Sequence, residues 1–345
     1  MICFSWLGFP QYAARCIRAV VTAIDEKVCV VASYPVVPVK GMEEIANCPV
    51  IWVTEGERRS LAELIGEMPR VFFACGWGSG LVNRWRDEVR KAGMMVVATC
   101  DNNFVLGWRL FLQAIRFRVF IKDKYDAFWV PGVSGKRLMR FLGVERQKVY
   151  TGLYSADNEL FVDTIPLMSR KRQILFVGQF CARKNVMALC QAFLSIAPDI
   201  RNGWSLELCG NGPLRKHLPN DPAVIIHDFV QPEDLARIYQ QTRIFVLPSK
   251  VEHWGLVVHE AALSGCYLIL GSEVGAREDF LHKGINGDLV NPNDVEDISS
   301  KLRSAISMSS KELDIAEEMS LKLSKNVTPA HFVRSVKKIA YGNKG

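Results

Sequence analysis

Ile244-Phe-Val-Leu-Pro248 runs into Ser249-Lys-Val-Glu252-His-Trp-Gly255-Leu-Val-Val-His-Glu260-Ala-Ala-Leu-Ser-Gly265. A short apolar run closed by proline predicts a buried strand, and the segment after Gly255 predicts a helix. Strand, short loop, glycine and helix together make an anion site. The first helix amides have no internal partner, and the helix dipole is positive at that end. Gly255 lets a phosphate come close to the backbone, with the amides of Gly255, Leu256 and Val257 beside it. Side chains tilt toward the helix N-terminus. Glu260, about 7.5 Å along the axis from Gly255 at 1.5 Å per residue, therefore points its carboxylate back toward that anion. A carboxylate repels phosphate but accepts hydrogen bonds from neighbouring vicinal hydroxyls, such as those of a ribose. Glu252, on the loop, faces hydroxyls at the other end, on a sugar. The pattern asks for a nucleotide-sugar.

The same alternation extends along the chain. Strands are predicted near 1–6, 28–33, 49–53, 70–75, 94–99, 127–130 and 147–150, with helices near 10–23, 59–66, 81–91, 104–120 and 134–142. A second set of strands is predicted near 173–178, 204–209, 223–227, 243–247 and 267–271, with helices after most of them. Such alternation means parallel sheets covered on both faces by helices. The expected division is a first domain over 1–152, a linker over 153–172, a second domain over 173–327 and a closing helix within 328–345. Ligands of open parallel sheets sit beyond the carboxyl ends of the strands, so the site is expected in a cleft between two facing domains.

Bulk composition narrows the classes. The 345 residues are 49% hydrophobic and 23% charged, a globular balance. The ten cysteines form no C-x-x-C pair and no Cys/His cluster at zinc spacing, which reads as buried thiols in a reducing compartment. No stretch reaches the roughly 18 apolar residues of a membrane span, and the chain opens without a basic leader. A cytoplasmic location is expected. The net charge of +7 is placed unevenly: ten Lys/Arg face three acids between Phe104 and Tyr150, a surplus equal to the whole net charge. Within it lies Trp108-Arg-Leu-Phe-Leu-Gln-Ala-Ile-Arg-Phe-Arg-Val-Phe-Ile121. Such a segment is either a basic amphipathic helix lying on an anionic membrane or a core helix whose arginines reach solvent along apolar stems. The second is the more common arrangement. Nucleic acid is not expected as a partner, since no recognition motif accompanies the charge. Gly76-Trp-Gly-Ser-Gly80 and Gly132-Val-Ser-Gly135-Lys136-Arg137 both miss the spacing of phosphate-binding loops.

Further landmarks flank the opening stretch: Ile174-Leu-Phe-Val-Gly178-Gln-Phe-Cys-Ala-Arg183-Lys184, Leu206-Glu-Leu-Cys-Gly210-Asn-Gly212-Pro, His227-Asp-Phe-Val, Gly275-Ala-Arg-Glu278 and Gly284-Ile-Asn-Gly287-Asp-Leu-Val-Asn-Pro292. With Glu252 and Glu260, these resemble the E-x7-E signature and its neighbours in the retaining glycosyltransferases of family 4. The resemblance covers roughly residues 170–295. It implies the GT-B fold, an α/β architecture of two Rossmann-like, doubly wound parallel-sheet domains facing across a cleft. It also implies a last helix that crosses back to the first domain. The activity implied is transfer of a sugar from a UDP- or GDP-sugar to a hydroxyl with retained configuration, with no metal and no cofactor besides the co-substrate. A lipid-linked or cell-surface polysaccharide intermediate, as in lipopolysaccharide synthesis, is the implied acceptor. The cytosolic face of the inner membrane is the implied place of work.

The resemblance assigns roles residue by residue. Lys184 grips the diphosphate. The arginine usual after the glycine is Gln179 here, and Arg183 supplies the missing charge. Glu252 orients the sugar and Glu260 the ribose, while Trp254, Gly255, Leu256 and Val257 line the donor. Gly210 lies along the nucleotide, and Phe229 and Val230 meet the base through their backbone. In the first half, Gly8 belongs to the loop that approaches sugar and acceptor. Asp101 stands near the place of a histidine common in relatives, as a catalytic side chain or simply as a helix N-cap. Alternative readings are a GT-B epimerase or phosphorylase, a non-catalytic nucleotide-sugar binder, and a membrane-surface adaptor.

Overall fold

The computed structural model describes residues 1–34, 41–162 and 164–342. It divides into two compact units, Met1–Ser155 with Val327–Gly345, and Ala156–Asn326. Thus residues 153–155 of the expected linker lie with the first unit, and those from 156 onward with the second.

The first unit runs β1 (Ile2–Trp6), α1 (Gln11–Ala23), β2 (Val28–Ala32), α2 (Met42–Ala46), β3 (Val50–Trp52), α3 (Leu61–Ile65), β4 (Val71–Cys75), α4 (Gly80–Lys91), β5 (Met95–Thr99), α5 (Trp108–Phe120), β6 (Ala127–Trp129), α6 (Val133–Phe141) and β7 (Val149–Tyr150). Its seven strands are parallel, in the order β3-β2-β1-β4-β5-β6-β7. Strand side chains alternate between faces, and the alternation separates two core layers. Ile2, Phe4 and Trp6 pack with Ala13, Ile17 and Val20 of α1. Cys3, Phe72 and Ala74 pack on the other face with Trp85 and Val89 of α4. Because β2 and β4 flank β1, successive strands add in opposite directions from that point, and the loops after β1 and β4 part to leave a crevice.

The helix expected over 104–120 begins only at Trp108, after Gly107 as an N-cap without a side-chain bond. Asp101, six residues earlier in a segment without regular structure, therefore caps no helix. Nor is α5 a core helix: of its described side chains only Leu110, Ala114 and Phe117 are buried.

The second unit runs β8 (Gln173–Val177), α7 (Val186–Leu194), α8 (Pro198–Arg201), β9 (Ser205–Cys209), β10 (Val224–His227), α9 (Pro232–Gln241), β11 (Ile244–Leu247), α10 (Leu256–Leu263), β12 (Tyr267–Gly271), α11 (Arg277–Phe280), β13 (Gly287–Val290), α12 (Val295–Ile306) and α13 (Ser310–Ser324). Six parallel strands follow the order β10-β9-β8-β11-β12-β13. β13 is absent from the sequence expectations because it is four residues long, opens on glycine and buries only its two ends. The sheet reverses its order of addition between β8 and β11, which puts the loops after those strands at the switch point.

The chain then returns to the first unit as α14 (Pro329–Tyr341). Thr328 caps it, Pro329 occupies its first turn, where the missing amide proton costs nothing, and Phe332 lies 4.5 Å from the Trp129 ring. Ser335 donates to the Thr151 carbonyl at 2.7 Å and Arg70 to that of Ala340 at 2.8 Å. All ten cysteines are free thiols.

Candidate donor site on the second unit

Gly178 ends β8, and the following turn carries an exposed Gln179 and Arg183 and a buried Lys184. The loop after β11 brings Glu252, itself buried, against them. The Lys184 ammonium bonds the Glu252 carboxylate directly. Arg183 lies 3.6 Å from the same oxygen and donates to the Val251 carbonyl at 3.0 Å. Lys250 donates its amide to the Arg183 carbonyl at 2.9 Å, so backbone and side chains lace the two loops together. The loop after β12 joins from the far side: Gly275 donates to the Glu252 carbonyl at 3.0 Å. Three adjacent strand ends thus fix one carboxylate and two cations at the switch point.

Gly255 begins α10 with φ +88, in the left-handed region. A Cβ there would be strained and would sit 3.1 Å from Glu252 Cγ, so glycine both permits the turn and leaves room for the carboxylate. It offers no side chain to cap the helix, and the amides of Leu256 and Val257 stand at an open N-terminus. One turn in, Glu260 meets Tyr239 of α9. The Tyr239 hydroxyl is 3.2 Å from both Glu260 Oε2 and the Val257 carbonyl and donates to one at a time. Burial raises the Glu260 carboxyl from 4.5 to about 7, against the opposing pull of the Tyr239 hydrogen bond. Burial also holds the Tyr239 phenol protonated. Sequence reasoning missed Tyr239. It lies on the preceding helix, and nothing in its local pattern marks it out.

Trp254 turns inward: it is 4% exposed and meets Phe280 edge-on at 5.8 Å, so it serves the core beneath the loop. His259 is likewise structural. Its Nδ1 accepts from the Ala156 amide at 3.0 Å, and its Nε2 faces the Ser324 carbonyl at 3.3 Å, which assigns the Nε2–H tautomer. Burial lowers its pKa to about 4, so it stays neutral.

Gly210 serves close packing. A Cβ on it would overlap the Gly178 carbonyl, while the Phe180 amide donates to the Asn211 carbonyl at 2.9 Å. Phe229 and Val230 follow the end of β10, with the Phe229 ring 39% exposed. Among the described residues no group of three or more His, Cys, Asp or Glu is placed to hold a metal ion.

Gly8 and Asp101 belong to the first unit, where they line a cavity of about 820 Å³ over the β1–β4 crevice, with Tyr12, Trp77, Asn83 and Arg116. Gly8 donates its amide to Ser33 at 2.9 Å. Burial pushes the Cys100 thiol on this wall up to about 12, which keeps it protonated and inert.

Residues 158–322, covering the whole donor cluster, match the family model of glycosyl transferases group 1. A glycosyltransferase of Methanocaldococcus jannaschii is 27% identical over 146 residues, 40% of this chain and 37% of that protein. The sulfoquinovosyl transferase of Arabidopsis thaliana is 32% identical over 143 residues, 39% of this chain and 27% of its own length. The chain thus aligns with little more than a third of the first relative and about a quarter of the second. Across the whole chain, the structure of a glycosyltransferase from Rickettsia africae superposes with a TM-score of 0.75, at 11% identity and 99% coverage of both. HepE from Anabaena, crystallised with UDP and glucose, gives 0.74 at 12% identity, covering 97% of this chain and 98% of HepE. At such identities the likeness is one of fold. Residues 158–322 therefore carry the pattern of glycosyl transferases group 1, within a chain that has the GT-B fold.

Proposed function

We propose that the protein transfers a sugar from a nucleoside diphosphate donor, UDP- or GDP-linked, to a hydroxyl with retention of anomeric configuration. The observation that carries this reading is the Lys184–Glu252 pair, with Arg183, at the sheet's switch point beside the open amides of α10. Such a placement suits a diphosphate on the cations and amides, a sugar at Glu252 and a ribose at Glu260. Lys184 bonds Glu252 directly. A bound diphosphate draws the ammonium away and releases the carboxylate to accept from sugar hydroxyls. As the glycosidic bond breaks, negative charge grows on the leaving diphosphate. Lys184, Arg183 and the Leu256 and Val257 amides stabilise it, and preorganised charge of this kind is commonly the largest catalytic contribution. A diphosphate oxygen takes the acceptor proton on the same face of the sugar. Because side-chain cations carry the charge, transfer needs no metal, and chelation with EDTA leaves the rate unchanged.

Asp101 and Gly8, on the wall of the first unit's cavity, are proposed to meet the acceptor. A lipid-linked or cell-surface polysaccharide intermediate fits the names of some relatives, one of which is the O-antigen chain mannosyltransferase B of Escherichia coli. The test is titration calorimetry with a panel of UDP- and GDP-sugars, followed by NMR of the product anomer with the sugar that binds. No uptake of any donor, or an inverted product, defeats the reading.

A further inference from the structure

Trp108, Phe111, Leu112, Ile115, Val119 and Phe120 of α5 are 54–69% exposed. No other helix of the described residues exposes more than one large apolar side chain. At 3.6 residues per turn, the first five of these fall within an arc of about 100°, the width of a core-facing stripe. Here the stripe faces outward. Leu110, Ala114 and Phe117, on the opposite side, seat the helix on the first unit's sheet. Arg116 and Arg118 fall on the two margins of the arc. Arg118 is fixed there by donating to the Phe141 and Leu142 carbonyls at 2.7 and 3.3 Å. Lys124, Arg137, Arg140 and Arg146 add exposed positive charge in the segments that follow.

An apolar patch alone fits many partners. An apolar stripe edged on both sides by arginines, in the segment that carries the chain's whole charge surplus, is complementary to one surface: acyl chains beneath anionic phosphates. We propose that α5 docks this protein on an anionic lipid bilayer, its outward stripe sunk to the acyl boundary and its arginines level with the headgroups. The flank of the helix that carries Arg116 continues to Gln113, and both line the wall of the first unit's cavity. Docking therefore brings the cavity to the membrane surface, where a lipid-carried acceptor presents its hydroxyl. That last consequence rests on the sugar transfer proposed above; the docking does not.

The test is cosedimentation of the full chain with vesicles of phosphatidylcholine, with and without phosphatidylglycerol, in the absence of any donor. Binding is expected only to the anionic vesicles and should weaken as salt rises. The double variant Leu112→Glu/Ile115→Glu, at exposed positions that leave folding intact, should bind at least tenfold more weakly. Arg116→Gln should lose roughly fivefold, the share of one charge near such a surface. Equal binding to neutral vesicles, or full binding by the double variant, overturns the proposal. So does light scattering that shows a dimer which the double variant dissolves, because α5 is then a protein interface. Vesicle binding without sugar transfer would refute the reaction alone; transfer without vesicle binding would refute the docking alone.

Discussion

The Lys184 ammonium and the Glu252 carboxylate, 68 residues apart in sequence, form a buried ion pair that joins the loops after β8 and β11. Removing one member of such a pair leaves an uncompensated buried charge, at a cost of about 3–5 kcal/mol. Lys184→Ala should therefore lower the thermal midpoint and abolish sugar transfer together. Lys184→Met/Glu252→Gln, with neither charge, should recover much of the stability and none of the activity. A double variant as unstable as the single one would show that the charges do not act as a pair. Differential scanning fluorimetry beside a donor-turnover assay separates the two effects.

Arg183 sits 3.6 Å from the same carboxylate oxygen, whereas Gln179 is exposed and uncharged. If Arg183 supplies the second cation of the diphosphate grip, Arg183→Ala should raise the donor KM about tenfold, the worth of one charge-assisted hydrogen bond of about 1.5 kcal/mol. Introducing Gln179→Arg into that variant should restore part of the loss. A KM unmoved by Arg183→Ala removes this residue from the grip.

The donor side of the fold is legible in sequence because its determinants are local. A strand run, a glycine and two carboxylates at fixed spacing define the β11–α10 junction without reference to the rest of the chain. The first unit's fold follows from the same alternation, α5 included, yet the face that α5 buries does not. Its apolar residues recur on both faces, so periodicity cannot tell which face meets the sheet, and packing alone decides it. Trp254 shows the complementary limit. Its place between two landmarks suggests a ligand contact, but an indole beside Phe280 is core. Tyr239 reaches Glu260 only through the packing of α9 on α10, an adjacency no spacing encodes.

Two glycines separate backbone from ligand effects. Gly210→Ala would drive a methyl into the Gly178 carbonyl at the junction of two loops, a backbone group that cannot swing aside, with the Phe180 ring 3.4 Å away. A loss of about 3 kcal/mol or more is expected, with aggregation on expression as the visible result. Gly255→Ala meets the Glu252 stem tightly, at 3.1 Å, Leu247 and Val258 at ordinary contact distance, and left-handed backbone strain of about 1 kcal/mol. That variant should fold, with a small loss of stability and a large loss of turnover as Glu252 is displaced. Normal turnover by a folded Gly255→Ala protein would show that the position of Glu252 does not matter.

Glu260 and His259 are adjacent in sequence and oppose each other in pH dependence. The Glu260 carboxyl rises from 4.5 to about 7 in the folded chain, so between those values the native state keeps a proton that the unfolded chain has lost. Its contribution to stability falls as pH rises through that window, by at most about 1.4 kcal/mol per pH unit. His259 drops from 6.5 to about 4, so the unfolded chain binds the extra proton and stability rises with pH over 4 to 6.5. From about 4.5 to 6.5 the two slopes cancel. Glu260→Gln should expose the rising histidine slope in urea melts across that range, where the parent chain contributes almost none from this pair. A ribose hydroxyl donating to Glu260 favours the ionised carboxylate, so nucleotide should bind the parent more tightly as pH climbs toward 7. The Glu260→Gln protein should bind it with flat pH dependence. Identical binding profiles for the two proteins would remove Glu260 from the nucleotide contact and leave it a buried partner of Tyr239.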